Sequence, residues 1–458
     1  MHYGRNNIVV KVRGAGPYAY AILNPITGSF DLMEEREYLQ LEEIRAGSRH
    51  GDFNAGFIDY LLERGYLFRS RVEEDRAIRR ELERFQREIA NSQVQLLLIP
   101  TYNCNLACAY CYQEGIPGGL LITREVVDAF FHYAEDLFLG AKVRPYITLF
   151  GGEPLINSPR QQEIIGYIVE RCAGAGYELA VVTNGYDLVD YAAILSRARI
   201  KEIQVTLDGC RQVNDQRRMT KGGGGTFDRI IAGLDEVIRR GMPVNLRTVV
   251  DRENMPHLVR LAEFAGEKGW LDLGLFRFKT QIGRNYELFV CYARPQYLLS
   301  QVELWREYVE LSRAFPVLKK FHRPDFKGIR HLVETGEMYP ASFDTCPAAK
   351  LEWVFDPHGH VYGCTASCGR KEYRLGIFYP DFRLDEQAVS RWQRRSVQTI
   401  PGCFDCRYNV ICGGGCGVVA ANRTGEILAP DCRPVQELIE LGVNYYLDEI
   451  LALSEAVG

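Results

Sequence analysis

The sequence predicts an α/β fold: a parallel sheet with crossover helices, curved into a partial barrel. Two observations carry that expectation. From residue 94 onward, six β-rich runs alternate with helical patterns, as strand–helix–strand units do. The segments with unusual chemistry also fall at one kind of place. "CNLACAYCYQ" (104–113) follows the first strand, "GGEP" (151–154) the second, "TNG" (183–185) the third and "DG" (208–209) the fourth. Ligands bind at the carboxyl ends of parallel strands, so these four segments are expected to open onto one face.

Taken in order, residues 1–70 form one compositional unit. "NIVVKV", "YAYAIL" and "SFDLM" read as strands, with "NPITG" as the turn between the last two. Two short helical patterns follow, "EREYLQLEEIRAG" and "FNAGFIDYLLERG". Residues 71–93 carry acidic and basic side chains at helical spacing and predict a solvated linker helix. In residues 94–315 the strand candidates are "VQLLLIPTY", "YITLF", "ELAVVT", "EIQVTL", "PVNLRTVV" and "LDLGLFRF". Helical patterns lie near 123–140, 160–174, 188–199, 227–241 and 255–269, with another at 295–314. Residues 316–345 are a polar connector, 346–432 a Gly-rich field of cysteines, and 433–458 an amphipathic helix.

Composition narrows the function. A net charge of −4 on 458 residues gives no reason to expect nucleic acid as a partner. No run approaches the ~20 apolar residues of a membrane span, and the start lacks a signal-peptide stretch. A cytoplasmic protein is expected, and there its 14 cysteines read as metal ligands or redox groups, since disulfides are rare in a reducing compartment. Isolated Cys172 and Cys210 read as buried small hydrophobes.

Cys104, Cys108 and Cys111 sit within eight positions, with no further cysteine before Cys172. A structural zinc site closes with four ligands and a disulfide needs two. Three thiolates suit a [4Fe–4S] cube with one iron left open, as a catalytic site requires. Cys104-x3-Cys108-x2-Cys111, with Tyr110 before the last cysteine and "GGEP" after the second strand, resembles the signature of radical S-adenosylmethionine (SAM) enzymes. The resemblance implies that these cysteines hold the cluster and that SAM chelates its open iron. It implies that Gly151, Gly152 and Glu153 line the SAM amino group, and that Tyr110, Thr183, Asn184, Asp208 and Arg217 lie near SAM. One electron would cleave the sulfonium, and the deoxyadenosyl radical released would take a hydrogen atom from an unactivated carbon.

The second field runs Cys346, then Gly359-x4-Cys364 and Cys368, then Cys403-x2-Cys406-x5-Cys412-x3-Cys416, and Cys432. Zinc ribbons would explain one C-x2-C pair, but the ladder is too long for one zinc. It resembles the SPASM domain found on peptide-modifying radical SAM enzymes. That resemblance implies two auxiliary [4Fe–4S] clusters, three clusters in all. Cys403, Cys406, Cys412 and Cys432 would hold one; Cys346, Cys364 and Cys416 would hold the other. The latter is one ligand short, so either Cys368 closes it or an iron stays open to a substrate thiolate; Cys291 is a remoter candidate. The sulfatase-maturing branch places an acid directly after the cysteine equivalent to Cys364, where this chain has Thr365.

Residues 1–70, with strand–strand–strand–helix–helix order, resemble the winged-helix-like recognition element of ribosomal-peptide maturation systems. The resemblance implies that a precursor's leader adds as a strand to the sheet edge and raises the local concentration of the core peptide. The alternative is a structural appendage. The whole then reads as a partial (β/α)6 radical SAM barrel with an amino-terminal recognition domain and a SPASM domain. The expected function is a peptide maturase that installs a Cys sulfur-to-carbon thioether, with a flavodoxin or ferredoxin-type electron donor. Alternatives are carbon–carbon crosslinking of side chains, sulfatase-type oxidation of Ser or Cys, and a non-enzymatic iron–sulfur peptide carrier.

Overall fold

The computed structural model describes residues 1–47, 55–138, 142–285, 288–289 and 294–457. The chain forms two compact units: residues 1–90, 323–346 and 395–458 make one, and 91–322 with 347–394 the other.

In the first unit the strands are β1 (His2–Tyr3), β2 (Ile8–Ala15), β3 (Tyr18–Asn24), β4 (Ser29–Glu34) and β5 (Leu67–Phe68). β2, β3 and β4 form an antiparallel meander in that order, and β1 pairs with β5. Alternation along β2 puts Ile8, Val10 and Val12 inside and Lys11 and Arg13 outside. Helices Glu35–Arg45 and Ala55–Glu63 close over the sheet on Ile22, Met33, Leu41, Leu61 and Tyr66.

The helix Arg71–Asn91 is more than the solvated linker expected from its charges. Ala77, Ile78, Leu82 and Phe85 pack with Ile26, Phe343, Val397 and Val410. Its Glu74 carboxylate is 2% exposed, taking the His2 ring at 2.7 Å and the Arg5 amide at 2.6 Å. The dense i,i+3 and i,i+4 charges on the outer face masked that apolar stripe. The chain's last segment is two helices rather than one, Val435–Tyr445 and Leu447–Val457. The break falls at Tyr446, whose hydroxyl donates to the Pro324 carbonyl at 2.8 Å.

The second unit contains β6 (Gln95–Leu98), β7 (Tyr146–Leu149), β8 (Leu179–Thr183), β9 (Ile200–Thr206), β10 (Val244–Val250) and β11 (Phe278–Arg284). These six are the parallel strands the sequence predicts, hydrogen-bonded in chain order. Leu96–Ile99 are at most 1% exposed, as strands covered on both faces should be. Thr123 and Ser158 cap the helices after β6 and β7, each accepting an amide three residues on. The sixth strand begins seven residues later than the sequence suggested. Leu275 and Phe276 are 80% exposed, and Trp270–Asp272 form a 3-10 turn after left-handed Gly269.

Four more strands extend the sheet beyond β6: β12 (Glu352–Phe355), β13 (His360–Tyr362), β14 (Arg374–Ile377) and β15 (Arg383–Leu384). β12 is parallel to β6 and the rest are antiparallel. Each is too short for periodicity to reveal. Among the described residues no helix is long and apolar enough to cross a membrane.

Candidate active site

The loop after β6 is held from two sides. Ala107 donates its amide to the Met219 carbonyl at 2.9 Å, and Lys221 donates to Asn105 at 3.0 Å. From below, the loop after β7 lies directly against residues 101–103. A Cβ on Gly151 would stand 2.5 Å from the Thr101 carbonyl oxygen, and one on Gly152 would stand 2.3 Å from that of Tyr102. The glycines therefore let one strand-end loop seat the other, and the Glu153 amide completes the contact on the Asn103 carbonyl at 2.8 Å.

Cys104, Cys108 and Cys111 are half-buried on this loop. The Leu106 amide donates to the Cys104 sulfur at 3.4 Å. Burial, with the Glu153 carboxylate and the other two thiols nearby, pushes the Cys104 thiol up to about 12. Burial also raises Cys108 and Cys111, against the pull of the Arg218 guanidinium. Three adjacent thiols that resist ionisation are a donor set that becomes thiolate when a cationic group binds and releases the protons. Among the described residues no three His, Cys, Asp or Glu side chains are gathered tightly enough for one metal ion. A four-iron cube takes one thiolate per corner, wider apart than ligands of a single zinc.

Around the thiols stands a buried polar network. The Glu153 carboxylate is spent on its own surroundings, accepting Thr183 Oγ1 and the Asn184 amide, each at 2.6 Å, and the Leu155 amide at 2.9 Å. Burial raises its pKa to about 7. Asn184 donates to Asn105 Oδ1 at 2.7 Å and approaches the Cys104 sulfur at 3.8 Å. Asp208 is fully buried, taking the Val249 amide, the Tyr110 hydroxyl and Arg217 Nε.

Arg217 is closed off: its Nη1 reaches both Asp251 oxygens, at 2.8 and 2.9 Å. Its neighbour Arg218, which sequence reasoning passed over, donates Nη1 to the Tyr110 hydroxyl at 2.6 Å and acts on Cys108. Arg218 is 6% exposed, and its Nε has no partner among the described residues. Adjacent arginines look alike in sequence; helix Arg211–Arg217 turns the first to Asp251 and ends before the second. A cleft of about 400 Å³, lined by Tyr110, Arg217, Asp251, His257, Asn285 and Arg294 among others, opens beside this network.

In the first unit Cys403, Cys406, Cys412 and Cys432 form a second set. Burial and the three other thiols push Cys403 up to about 11. Successive left-handed glycines, Gly413 to Gly415, shape the loop, and a Cβ on Gly415 would stand 2.2 Å from the Asp431 carbonyl oxygen. Arg395, fully buried, donates to the Gly414 and Ala429 carbonyls at 2.7 and 2.8 Å. Cys416 and buried Cys346 also lie in this unit; the Cys416 amide donates to Asp431 at 3.0 Å and that of Cys346 to Asp344 at 2.8 Å.

Cys364 and Cys368 are buried in the second unit. The Cys368 thiol donates to the Thr365 carbonyl at 3.2 Å, accepts from Gln113 at 3.8 Å and packs on Tyr102 and Tyr362. The Thr365 amide donates to the carboxylate of Glu352, on β12, at 2.7 Å. His358 and His360 frame a turn on Asp356. Cys172 is buried and Cys210 half-buried, while Cys291 lies outside the described residues.

Residues 98–265 match the radical SAM superfamily. Mycofactocin maturase MftC of Mycobacterium tuberculosis is 27% identical over 366 residues, 78% of this chain and 86% of its own. GTP 3',8-cyclase of Caulobacter vibrioides is 32% identical over 177 residues, 37% of this chain and 47% of its own. Among solved structures, anSMEcpe with bound AdoMet shares the fold at a TM-score of 0.60 and 17% identity, over 80% of this chain and 96% of that one. SuiB of Streptococcus suis bound to S-adenosylmethionine does so at 0.53 and 13%, over 94% and 98%. A radical SAM domain works with a [4Fe–4S] cluster and SAM, and the three-thiol loop fits that pair. Residues 98–265 are a radical SAM domain, and the chain is an enzyme built around it.

Proposed function

We propose that the enzyme takes a hydrogen atom from a ribosomally made precursor peptide and closes an intramolecular thioether from a Cys sulfur to a carbon, with net loss of two hydrogens. The observation that carries the radical chemistry is the loop of three thiols beside a cleft walled by Tyr110 and Arg217, with Arg218 behind. The likeness to a mycofactocin maturase over most of both chains supports peptide maturation. So does the likeness to SuiB, solved bound to precursor peptide SuiA, and to anSMEcpe, solved with bound AdoMet and Kp18Cys peptide.

Cys104, Cys108 and Cys111 would hold the cluster, which when bound supplies the electron that splits SAM into methionine and a hydrogen-abstracting radical. Arg218, with its unpartnered Nε, would take the SAM carboxylate, and Tyr110 is fixed between Arg218 and Asp208 to wall the site. Arg217 locks Asp208 to Asp251, keeping that wall rigid. Asn184 would steady the Cys104 sulfur. Cys403, Cys406, Cys412 and Cys432 would hold one auxiliary cluster of two. Cys368 is engaged by Thr365 and Gln113, which supports an auxiliary iron left open to a substrate thiolate, with a flavodoxin or ferredoxin supplying electrons.

Leader binding would fall to β4. The outer edge of β2 is taken: Asn444 donates to the Lys11 carbonyl at 2.8 Å and accepts the Arg13 amide at 2.9 Å. Among the described residues no strand lies beyond β4, whose Phe30 carbonyl accepts Arg64 Nη2 at 3.1 Å. The test is anaerobic reconstitution with a reductant, SAM and the peptide from the neighbouring small open reading frame. A product lighter by two hydrogens that resists thiol alkylation is expected. An unchanged mass would overturn the maturase reading, and a lighter product whose thiols still alkylate would move the bond to two carbons.

A further inference from the structure

The loop that carries the three thiols lines two cavities. Ala109 and Tyr110 face the cleft beside Arg217, while Tyr102, Ile116 and Pro117, which flank the thiols in sequence, wall a second cavity of about 260 Å³. Its other wall is the turn from β12 to β13 and the segment entering β14, with Asp356, His360, Lys371 and Arg374. Left-handed Gly369 lets that segment close on the loop, since a Cβ there would stand 2.8 Å from Ile116 Cγ2 and 3.2 Å from the Tyr102 ring. The space is smaller than the ~300–1,000 Å³ of a cofactor-sized pocket and suits one side chain or a chain end.

The cavity is cationic. Asp356, the one carboxylate among its described lining residues, is 1% exposed and spent on the turn. Its Oδ1 accepts the His358 and His360 amides at 3.0 and 2.9 Å, and Oδ2 accepts the Tyr102 hydroxyl at 3.3 Å. Arg374 Nη1 reaches His360 Nε2 at 3.3 Å; a guanidinium only donates, so the imidazole proton sits on Nδ1, 3.5 Å from Asp356 Oδ2. Arg374 thus meets a neutral ring, and among the described residues neither it nor Lys371 is paired with a carboxylate. A merely solvated lysine needs no cavity. Here two cations share one with Tyr102 and Tyr362, and the acid beside them is turned to backbone amides.

Resting on the reading of this enzyme as a peptide maturase, we propose that the cavity seats a carboxylate of the precursor peptide between Lys371 and Arg374, anchoring the core peptide along the three-thiol loop. Carboxylates are the groups of an unmodified peptide that are anionic near pH 7. They come from two sources, the chain terminus and an Asp or Glu side chain. An arginine fork takes both carboxylate oxygens, and a lysine adds a compact point charge. Such an anchor, away from the reacting carbon, contributes binding energy that orients that carbon for hydrogen abstraction.

The test measures kcat/KM of the anaerobically reconstituted full chain, with SAM and reductant, on the peptide from the neighbouring small open reading frame. Three synthetic forms are compared: unaltered, amidated at the carboxyl terminus, and with the Asp and Glu of the core changed to Asn and Gln. With the unsubstituted enzyme, at least one altered form is expected to lose about tenfold, the scale of a hydrogen bond to a charged group. Loss with the amidated form places the terminus in the cavity, and loss with the other places an acidic side chain there. These arms change only the peptide, so folding of the enzyme does not enter. The double variant Lys371→Met, Arg374→Met should lose a similar factor on the unaltered peptide and little more on the altered one, whereas independent losses would multiply. No loss with either altered form, or losses that multiply in the double variant, overturns the inference while the maturase reading stands. An unaltered peptide that the unsubstituted enzyme leaves unmodified overturns both.

Discussion

Arg218 donates to the Tyr110 hydroxyl at 2.6 Å, tying a buried guanidinium to the aromatic residue that precedes the last cysteine of the three-thiol loop. Arg217, one position earlier, is held by Asp251 and Asp208. The two should fail differently. Arg218→Met would remove the charge-assisted partner proposed for SAM, worth about 1.5–3 kcal/mol, and should weaken SAM binding by about 10- to 100-fold in equilibrium dialysis. Arg217→Met leaves two buried carboxylates unpaired, and should cost about 3–5 kcal/mol of stability in denaturant melts.

Glu153 makes the metal-free protein sensitive to pH. Its folded pKa is raised from 4.5 to about 7 by burial, so its contribution is fully present below pH 4.5 and lost as pH rises through about 7. The span corresponds to about 3 kcal/mol. Denaturant melts at pH 6 and pH 8 should show higher stability at pH 6, and Glu153→Gln should shrink the difference. An unchanged difference would mean another group carries it.

Cys368 is expected to be dispensable for iron. Its hydrogen bonds to Thr365 and Gln113 occupy it inside the sheet's apolar packing with Tyr102 and Tyr362. Cys368→Ala should keep the iron content of the parent and lose about 1 kcal/mol from the small cavity. A loss of about 4 irons would make it a ligand and remove the open position proposed for substrate sulfur.

The leader pairing proposed at β4 makes a spatial prediction. On adding precursor peptide, hydrogen exchange should slow in β4, residues 29–34, and stay unchanged in β2, whose edge Asn444 already occupies. Protection confined to β2 would contradict leader pairing at β4.

Much of this was legible in the chain. The six parallel strands follow from apolar runs of ordinary length between capped helices, and the loops after β6 to β9 announce themselves by cysteine, glycine and polar residues. Less visible were β12 to β15, at two to four residues each below the reach of any period. The apolar stripe of helix Arg71–Asn91 was hidden under its charges. Assigning Arg217 over Arg218 depended on where a helix ends, a matter of one residue that propensity does not resolve. The glycines of "GGEP" were legible as sites of close approach, but their partner is the backbone at 101–103, a tertiary contact no local pattern reports.

The chemistry proposed for this enzyme depends on three thiols holding a cluster on which SAM is split. Reduction of the anaerobically reconstituted enzyme with dithionite in the presence of SAM tests it most directly, with 5'-deoxyadenosine and methionine measured by chromatography. Both products are expected, and both should be lost in the Cys104→Ala, Cys108→Ala and Cys111→Ala variants. Zinc bound at this loop, or SAM recovered intact from the fully iron-loaded, reduced protein, would contradict it.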